Sequence, residues 1–260
     1  MNKLMKVLEK KEKLLSVYFT VGFPKLNDTQ EIIKELDSRN VDILEVGLPF
    51  SDPIADGLTI QHSSSVALKN GMNIDLMFEQ VGKVSNEVNC ALVLMAYLNP
   101  IFKYGIEKTF IKCKEAGIAA MIIPDLPLAE YISEWKPLEE KYDVRLAMLI
   151  TPQSGDARIK QIDEATDAFV YVVSMASVTG VKDDFSQDQV EYFKRVGEMK
   201  LKNKTLIGFG ISNNKTLSKA KSYSDGAIIG SAYIKCLDEA PTIKDATENF
   251  FGRLLEINSD

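Results

Sequence analysis

Apolar, largely β-branched or aliphatic runs recur along the chain at Leu14–Thr20, Ile43–Gly47, Ala91–Met95, 119–124, 145–149, 169–173, 205–209 and 226–230. A sheet with one solvated face would alternate apolar and polar positions. These runs are mostly continuous, so they predict strands covered on both faces. Between them the period lengthens to that of a helix. Asp28-Thr29-Gln30-Glu31 reads as a capping box, followed by Ile32, Ile33 and Leu36 on one face. Helical patterns also fill Ile74–Val84, 106–116, 128–142, 157–165, 186–199, 214–222 and 243–257, and residues 2–12 read as a short amphipathic helix.

Eight strands alternating with helices predict an α/β fold. The length of 260 residues suits a single (β/α)8 barrel, a TIM barrel with an extra N-terminal helix, and an open doubly wound sheet is the competing arrangement. No linker-like or low-complexity stretch interrupts the chain, so residues 1–260 are read as one barrel domain. The segment between the second and third strands is long. In a barrel such a loop lies at the catalytic face.

Composition narrows the function. The net charge is −6, which argues against a nucleic-acid footprint. It leaves a phosphorylated small molecule open, because backbone donors bind phosphate even in an acidic protein. The three cysteines, Cys90, Cys113 and Cys236, have neither zinc spacing nor redox pairing and read as buried thiols of a reducing compartment. With no apolar core of a signal peptide near the start and no run long enough to cross a bilayer, a cytoplasmic protein is expected, with no membrane contact. The one histidine, His62, rules out a multi-histidine metal site and reads as exposed or capping. No metal is expected.

Two constellations carry candidate chemistry. The first is the loop 44–61, Leu-Glu-Val-Gly-Leu-Pro-Phe-Ser-Asp-Pro-Ile-Ala-Asp-Gly-Leu-Thr-Ile-Gln. Glu45 falls near the end of an apolar run, where a pocket mouth would half desolvate it and raise its pKa toward neutrality. Asp52 and Asp56 follow in a segment shaped by proline and glycine; an ordinary turn with solvated acids is the plainer reading. The second is Gly208-Phe209-Gly210-Ile211-Ser212 after the seventh strand, with Gly230-Ser231-Ala232 after the eighth. Barrels often hold a phosphate on the loops after these two strands. A single glycine there would be only a turn residue.

The acidic motif 44–57 closely resembles the signature of the tryptophan synthase α subunit. The resemblance runs through nearly the whole chain, including Tyr18-Phe19-Thr20-Val21-Gly22-Phe23-Pro24, Met95-Ala96-Tyr97-Leu98-Asn99-Pro100, Pro124-Asp125-Leu126-Pro127 and Ser177-Val178-Thr179-Gly180. It implies retro-aldol cleavage of indole-3-glycerol phosphate to indole and glyceraldehyde 3-phosphate, without a cofactor in this chain. It puts the two catalytic carboxylates on Glu45 and Asp56, with Tyr171 supporting Glu45 or the indole ring. It puts the phosphate on Gly180, Gly210, Gly230 and Ser231, and the indole slot on Tyr18, Ile60, Leu94 and Phe209, although each could equally be plain core and for Leu94 core is favoured. Thr179 would close a loop onto Asp56.

The resemblance also implies a β-subunit partner in an α2β2 assembly, which would receive indole through a tunnel, with Asp52, Pro53, Asn99 and Pro100 facing it. The chain departs from the family at Leu58, where proline is common, at Ser177, where glycine is common, and at Met175, where some members carry arginine. A stand-alone lyase and a non-catalytic activator of the β subunit are the alternatives; retention of both carboxylates argues against the second. Other phosphate-binding barrels fit the glycine motifs alone.

Overall fold

The structure is a computed structural model that describes residues 2–174 and 184–255. Its eight strands are β1 (Leu14–Thr20), β2 (Ile43–Gly47), β3 (Ala91–Met95), β4 (Ala120–Ile122), β5 (Arg145–Ile150), β6 (Val170–Val173), β7 (Thr205–Gly208) and β8 (Gly226–Ile229). All pair in parallel with their sequence neighbours, and β8 returns to β1 with Gly226 opposite Leu14, which closes the barrel and excludes the open sheet. β4 is shorter than the apolar run 119–124 because Pro124 has no N–H to give a ladder and the chain turns away through Asp125.

Register fixes which side chains point inward. Tyr18 pairs with Glu45, and Glu45 with Val93. Around the ring, the same parity puts Met95, Ile122, Leu149, Tyr171, Gly208 and Ile228 inside the barrel. Val46, Leu94 and Met121 share the opposite parity and face the helical layer. Leu94 is therefore fully buried core between sheet and helices, and the expectation that it joins a ligand slot is corrected. Both faces of β3 are apolar, as a doubly covered strand requires.

The helices pack outside. Two of them, Leu58–Lys69 and Ile74–Val84, fill the long connection between β2 and β3, one more than its sequence pattern suggests. The pattern 128–142 is helical throughout but widens into a π-helical turn at Tyr131–Trp135. Pro137, just beyond, cannot donate to the Ser133 carbonyl four residues back, and a widened turn accommodates that missing bond.

The N-terminal helix Lys3–Leu8 is capped by Asn2, whose side chain accepts from the Leu4 N–H at 2.9 Å. The Asn2 amide donates to the carbonyls of Ala119 and Asp143 at 2.8 and 2.7 Å, and Lys3 Nζ reaches those of Ser85 and Val88 at 2.7 Å each. These carbonyls precede β3, β4 and β5, so the helix lies across the end of the barrel where strands begin. The other end is left for the βα loops.

Candidate active site

Glu45 is the middle residue of β2 and points into the barrel, where it is 2% exposed. It stands deeper than the strand end that its sequence position suggests, and its burial is complete rather than partial. Ser16, on neighbouring β1, donates a hydrogen bond to Oε1 at 2.9 Å. Loss of water outweighs that bond and pushes the carboxyl up to about 8. Glu45 is thus predominantly a neutral acid at pH 7, able to give a proton and take one back.

Asp56 is 3% exposed, yet a loop, not a strand, buries it. Its neighbours Ile54 and Leu58 are 83% and 80% exposed. Tyr97 donates to Asp56 Oδ2 at 2.9 Å, and the Tyr97 oxygen accepts from the Ala55 N–H at 3.0 Å. Gln61 Nε2 donates to the Asp56 carbonyl at 2.9 Å. Desolvation lifts the carboxyl to about 6, against the pull of the Tyr97 hydrogen bond. At pH 7 Asp56 is mainly a carboxylate, the opposite state to Glu45.

Both acids line one cavity of about 1020 Å³ at the end of the barrel where strands finish, with Tyr18, Ile60, Tyr171 and Phe209 on its walls. Burial and the nearby Glu45 and Asp56 charges drive the Tyr171 phenol far above its ordinary value. Burial does the same for Tyr18, with the Asp56 charge adding to it. Both stay neutral and serve as walls and hydrogen-bonding groups. Two inward glycines make room for them: a Cβ on Gly47 would lie 2.3 Å from the Tyr18 hydroxyl, and one on Gly208 would lie 2.3 Å from that of Tyr171. The Tyr18 hydroxyl continues through Thr20 at 3.3 Å to Ser63 at 2.7 Å.

The same cavity reaches Gly210, Gly230 and Ser231. Phe209 and Gly210 both take positive φ, +69° and +72°, a conformation that costs Phe209 strain. Ser174 Oγ holds the Phe209 carbonyl at 2.7 Å, and the Phe209 ring packs on Tyr171 with centroids 6.1 Å apart. The helix Ser231–Glu239 starts at Gly230 without a side-chain cap. The Tyr233 and Ile234 N–H groups donate to the Gly230 carbonyl, which leaves those of Ser231 and Ala232, both residues that line the cavity, without a partner within the helix.

Gly180 and Thr179 lie outside the described residues, as do Met175 and Ser177. Asp52 and Asn99 are exposed and Pro53 and Pro100 half-buried. Leu94 does not reach the cavity. Residues that sequence reasoning passed over are Ser16, Tyr97, and the wall-forming Met95, Ile122 and Leu149. Tyr97 stood in a quoted motif without a role; only its contact with a loop 41 residues away gives it one. His62 is exposed, 3.8 Å from Asp238, and the three cysteines are buried and free. Among the described residues no group of three His, Cys, Asp or Glu could hold a metal.

Comparison with known proteins bears on this geometry. The family model described as tryptophan synthase alpha chain matches residues 4–257. The tryptophan synthase alpha chain of Flavobacterium psychrophilum is 49% identical over 239 residues, 92% of this chain and 94% of that one. The one from Christiangramia forsetii is 49% identical over 242 residues, 93% and 94% of the two chains. Among solved structures, the tryptophan synthase A-subunit of Pyrococcus furiosus superposes with a TM-score of 0.85 at 30% identity, covering 94% of this chain and 98% of that one. A chain of Mycobacterium tuberculosis tryptophan synthase in its aminoacrylate-bound form gives 0.84 at 26% identity, covering 98% of each.

Proposed function

The chain belongs to the tryptophan synthase alpha chain family, and from that premise we propose how its own residues divide the work of the reaction. The reaction is the α-subunit step of tryptophan biosynthesis, a carbon–carbon lyase reaction that cleaves indole-3-glycerol phosphate to indole and glyceraldehyde 3-phosphate. The bond between indole C3 and the glycerol chain breaks only after C3 has gained a proton and the ring has become an indolenine. The adjacent glycerol hydroxyl must then lose its proton, so that the electron pair of the breaking bond returns to the ring and an aldehyde forms.

Glu45 does both steps. As the neutral acid it gives its proton to C3; as the resulting carboxylate it takes the hydroxyl proton and is restored. A carboxyl near pH 8 in a dry barrel suits this cycle, because neither state is far from neutrality. Asp56, already a carboxylate, accepts the indole N–H and stabilises the positive charge that develops on nitrogen. Tyr18, Ile60 and Phe209 border the indole, with Tyr171 beside Glu45. Gly210, Gly230 and Ser231, with the N-terminus of the helix Ser231–Glu239, bind the phosphate, where backbone N–H groups and the helix dipole favour a dianion. Gly180 and Thr179 are assigned to phosphate binding and loop closure on the resemblance alone.

The observation that carries this reading is the pairing in one cavity of two buried carboxyls, Glu45 and Asp56, which desolvation raises to different extents. The family works with a β subunit. We place that partner, in an α2β2 assembly, against Asp52, Pro53, Asn99 and Pro100, in the same two connections that carry the exposed apolar side chains Ile54, Leu58 and Phe102. No helix among the described residues is long and apolar enough to cross a membrane, and we assign the chain to the cytoplasm as one barrel domain that acts without a cofactor of its own. The test is incubation with indole-3-glycerol phosphate, with and without a β subunit, measuring indole. Release that depends on Glu45 and rises with the partner supports the reading; no release in either case refutes it.

A further inference from the structure

Tyr97 joins two loops that are far apart in sequence. It directly precedes the helix Leu98–Tyr104, and its ring is buried against Phe50, with centroids 5.4 Å apart. Its hydroxyl donates to Asp56 Oδ2 at 2.9 Å and accepts from the Ala55 N–H at 3.0 Å. One side chain therefore grips the acidic loop at its start, through Phe50, and near its end, through Ala55 and Asp56. Ile54 and Leu58, on either side of Asp56, are largely exposed and add little apolar packing. Among the described residues, Oδ2 is the hydrogen-bonded oxygen of Asp56, which leaves Oδ1 for a ligand N–H.

We propose that Tyr97 is a positioning residue for indole recognition: its hydroxyl orients the Asp56 carboxylate toward the indole nitrogen and ties that orientation to the helix Leu98–Tyr104, which carries Asn99 and Pro100. The proposal rests on the assignment of Asp56 made above. It gives the helix after β3, on which the partner is placed above, a direct route to the carboxylate. A shift of the helix Leu98–Tyr104 would move Tyr97, and with it Asp56.

The electrostatics supply a readout. Among the described residues, the Tyr97, Tyr18 and Tyr171 phenols are driven up by burial and by the Asp56 charge, and Arg158, Lys235 and Arg253 line the same cavity. Glu45 shares the cavity and stays largely neutral at pH 7. Asp125 acts on Tyr97, adding to the rise of its phenol. The Tyr97 hydrogen bond holds the Asp56 carboxyl below the value that burial alone would set. Removing it must raise that carboxyl and leave Glu45 unmoved.

The experiment is the pH dependence of kcat/KM for indole-3-glycerol phosphate from pH 5 to 9, for wild type, Tyr97→Phe and Asp56→Asn. The phosphate of the substrate titrates identically with all three. Tyr97→Phe is expected to move the acid limb up by about one unit, as loss of a hydrogen bond to the charged form requires. The alkaline limb should stay in place and phosphate-only inhibitors should bind as before. A fluorinated tyrosine at position 97, a stronger donor of the same shape, should move the acid limb down and guards against a merely misfolded Tyr97→Phe. An acid limb unmoved by both changes, with kcat/KM of Asp56→Asn strongly reduced, overturns the role of Tyr97 and leaves Asp56 standing. Wild-type rates in Asp56→Asn overturn the Asp56 assignment itself, and the proposal with it.

Discussion

Glu45 and Asp56 are buried to nearly the same degree, 2% and 3% exposed, but by different means. Glu45 sits on a barrel strand between β1 and β3 and faces the cavity, and its hydrogen bond comes from Ser16 on the neighbouring strand. Asp56 is enclosed by a loop whose flanking apolar side chains are largely exposed, and among the described residues the Tyr97 phenol holds its carboxylate. Burial by fixed strands makes a lasting neutral acid. Burial by a loop makes a carboxylate whose orientation depends on where the loop sits, and so on what binds the outer face of that loop. One site thus holds a preset proton carrier and an adjustable charge reader.

The largest effect is expected at the strand-held acid. Glu45→Gln keeps shape and the Ser16 contact but removes the titrating group, and kcat should fall by roughly 10³-fold or more, within the range of acid–base roles, while KM changes little. The same variant should become more stable than wild type as pH rises. The folded-state carboxyl titrates at about 8 and the unfolded one near its ordinary value of 4.5. Wild-type stability is therefore full below about pH 4.5 and is lost progressively up to about 8, on the order of a few kcal/mol in all. Chemical denaturation of both proteins at pH 5 and pH 9 checks this. A constant difference between them would mean that Glu45 is not buried neutral.

The loop-held acid should show a smaller loss. Asp56→Asn, which keeps hydrogen bonding and removes the charge, should lower kcat/KM by about 10²-fold in single-turnover assays. The β subunit should rescue none of that loss. It should, by contrast, raise kcat for wild type by fixing the loop, so the coupled-to-isolated ratio separates a missing charge from a misplaced one. An equal ratio in both proteins would mean that the partner acts elsewhere than on Asp56.

How much of this was legible in the chain follows from the same contrast. β1, β2 and β3 were readable to the residue, because a doubly covered strand writes itself as an unbroken apolar run. That same continuity erases parity. Nothing in Ala-Leu-Val-Leu-Met says that Val93 and Met95 face the barrel interior while Leu92 and Leu94 face helices, so Leu94 stays open between slot and core, with core favoured, until register decides it. Glu45 and Asp56 stood out because charge among apolar residues and in a proline-shaped loop is locally unusual. Their supports did not: Ser16 lies 29 residues from Glu45 and Tyr97 lies 41 from Asp56, and neither residue type is unusual where it stands. The room that Gly47 and Gly208 leave for two tyrosine rings was hidden for the same reason, since each clearance is set across neighbouring strands.

The smallest expected effect tests the Ser16 contact. Ser16→Ala removes the one hydrogen bond that favours the charged form of Glu45. The alkaline limb of kcat/KM should move up, activity at pH 7 should change only a few-fold, and the acid limb should not move. A shift of the acid limb instead would mean that the limbs have been assigned to the wrong carboxyls.

The central claim is that the two carboxyls hold opposite charge states at neutral pH, and isotope-edited infrared titration of the isolated chain tests it most directly. Subtracting the Glu45→Gln spectrum from wild type isolates the Glu45 carboxyl, and subtracting Asp56→Asn isolates that of Asp56. The account predicts a protonated Glu45 band that persists through pH 7 and disappears around 8, and an Asp56 band already largely lost by pH 7, with its midpoint about 6. A Glu45 carboxyl that is ionised by pH 5, or two bands that vanish together, would contradict it.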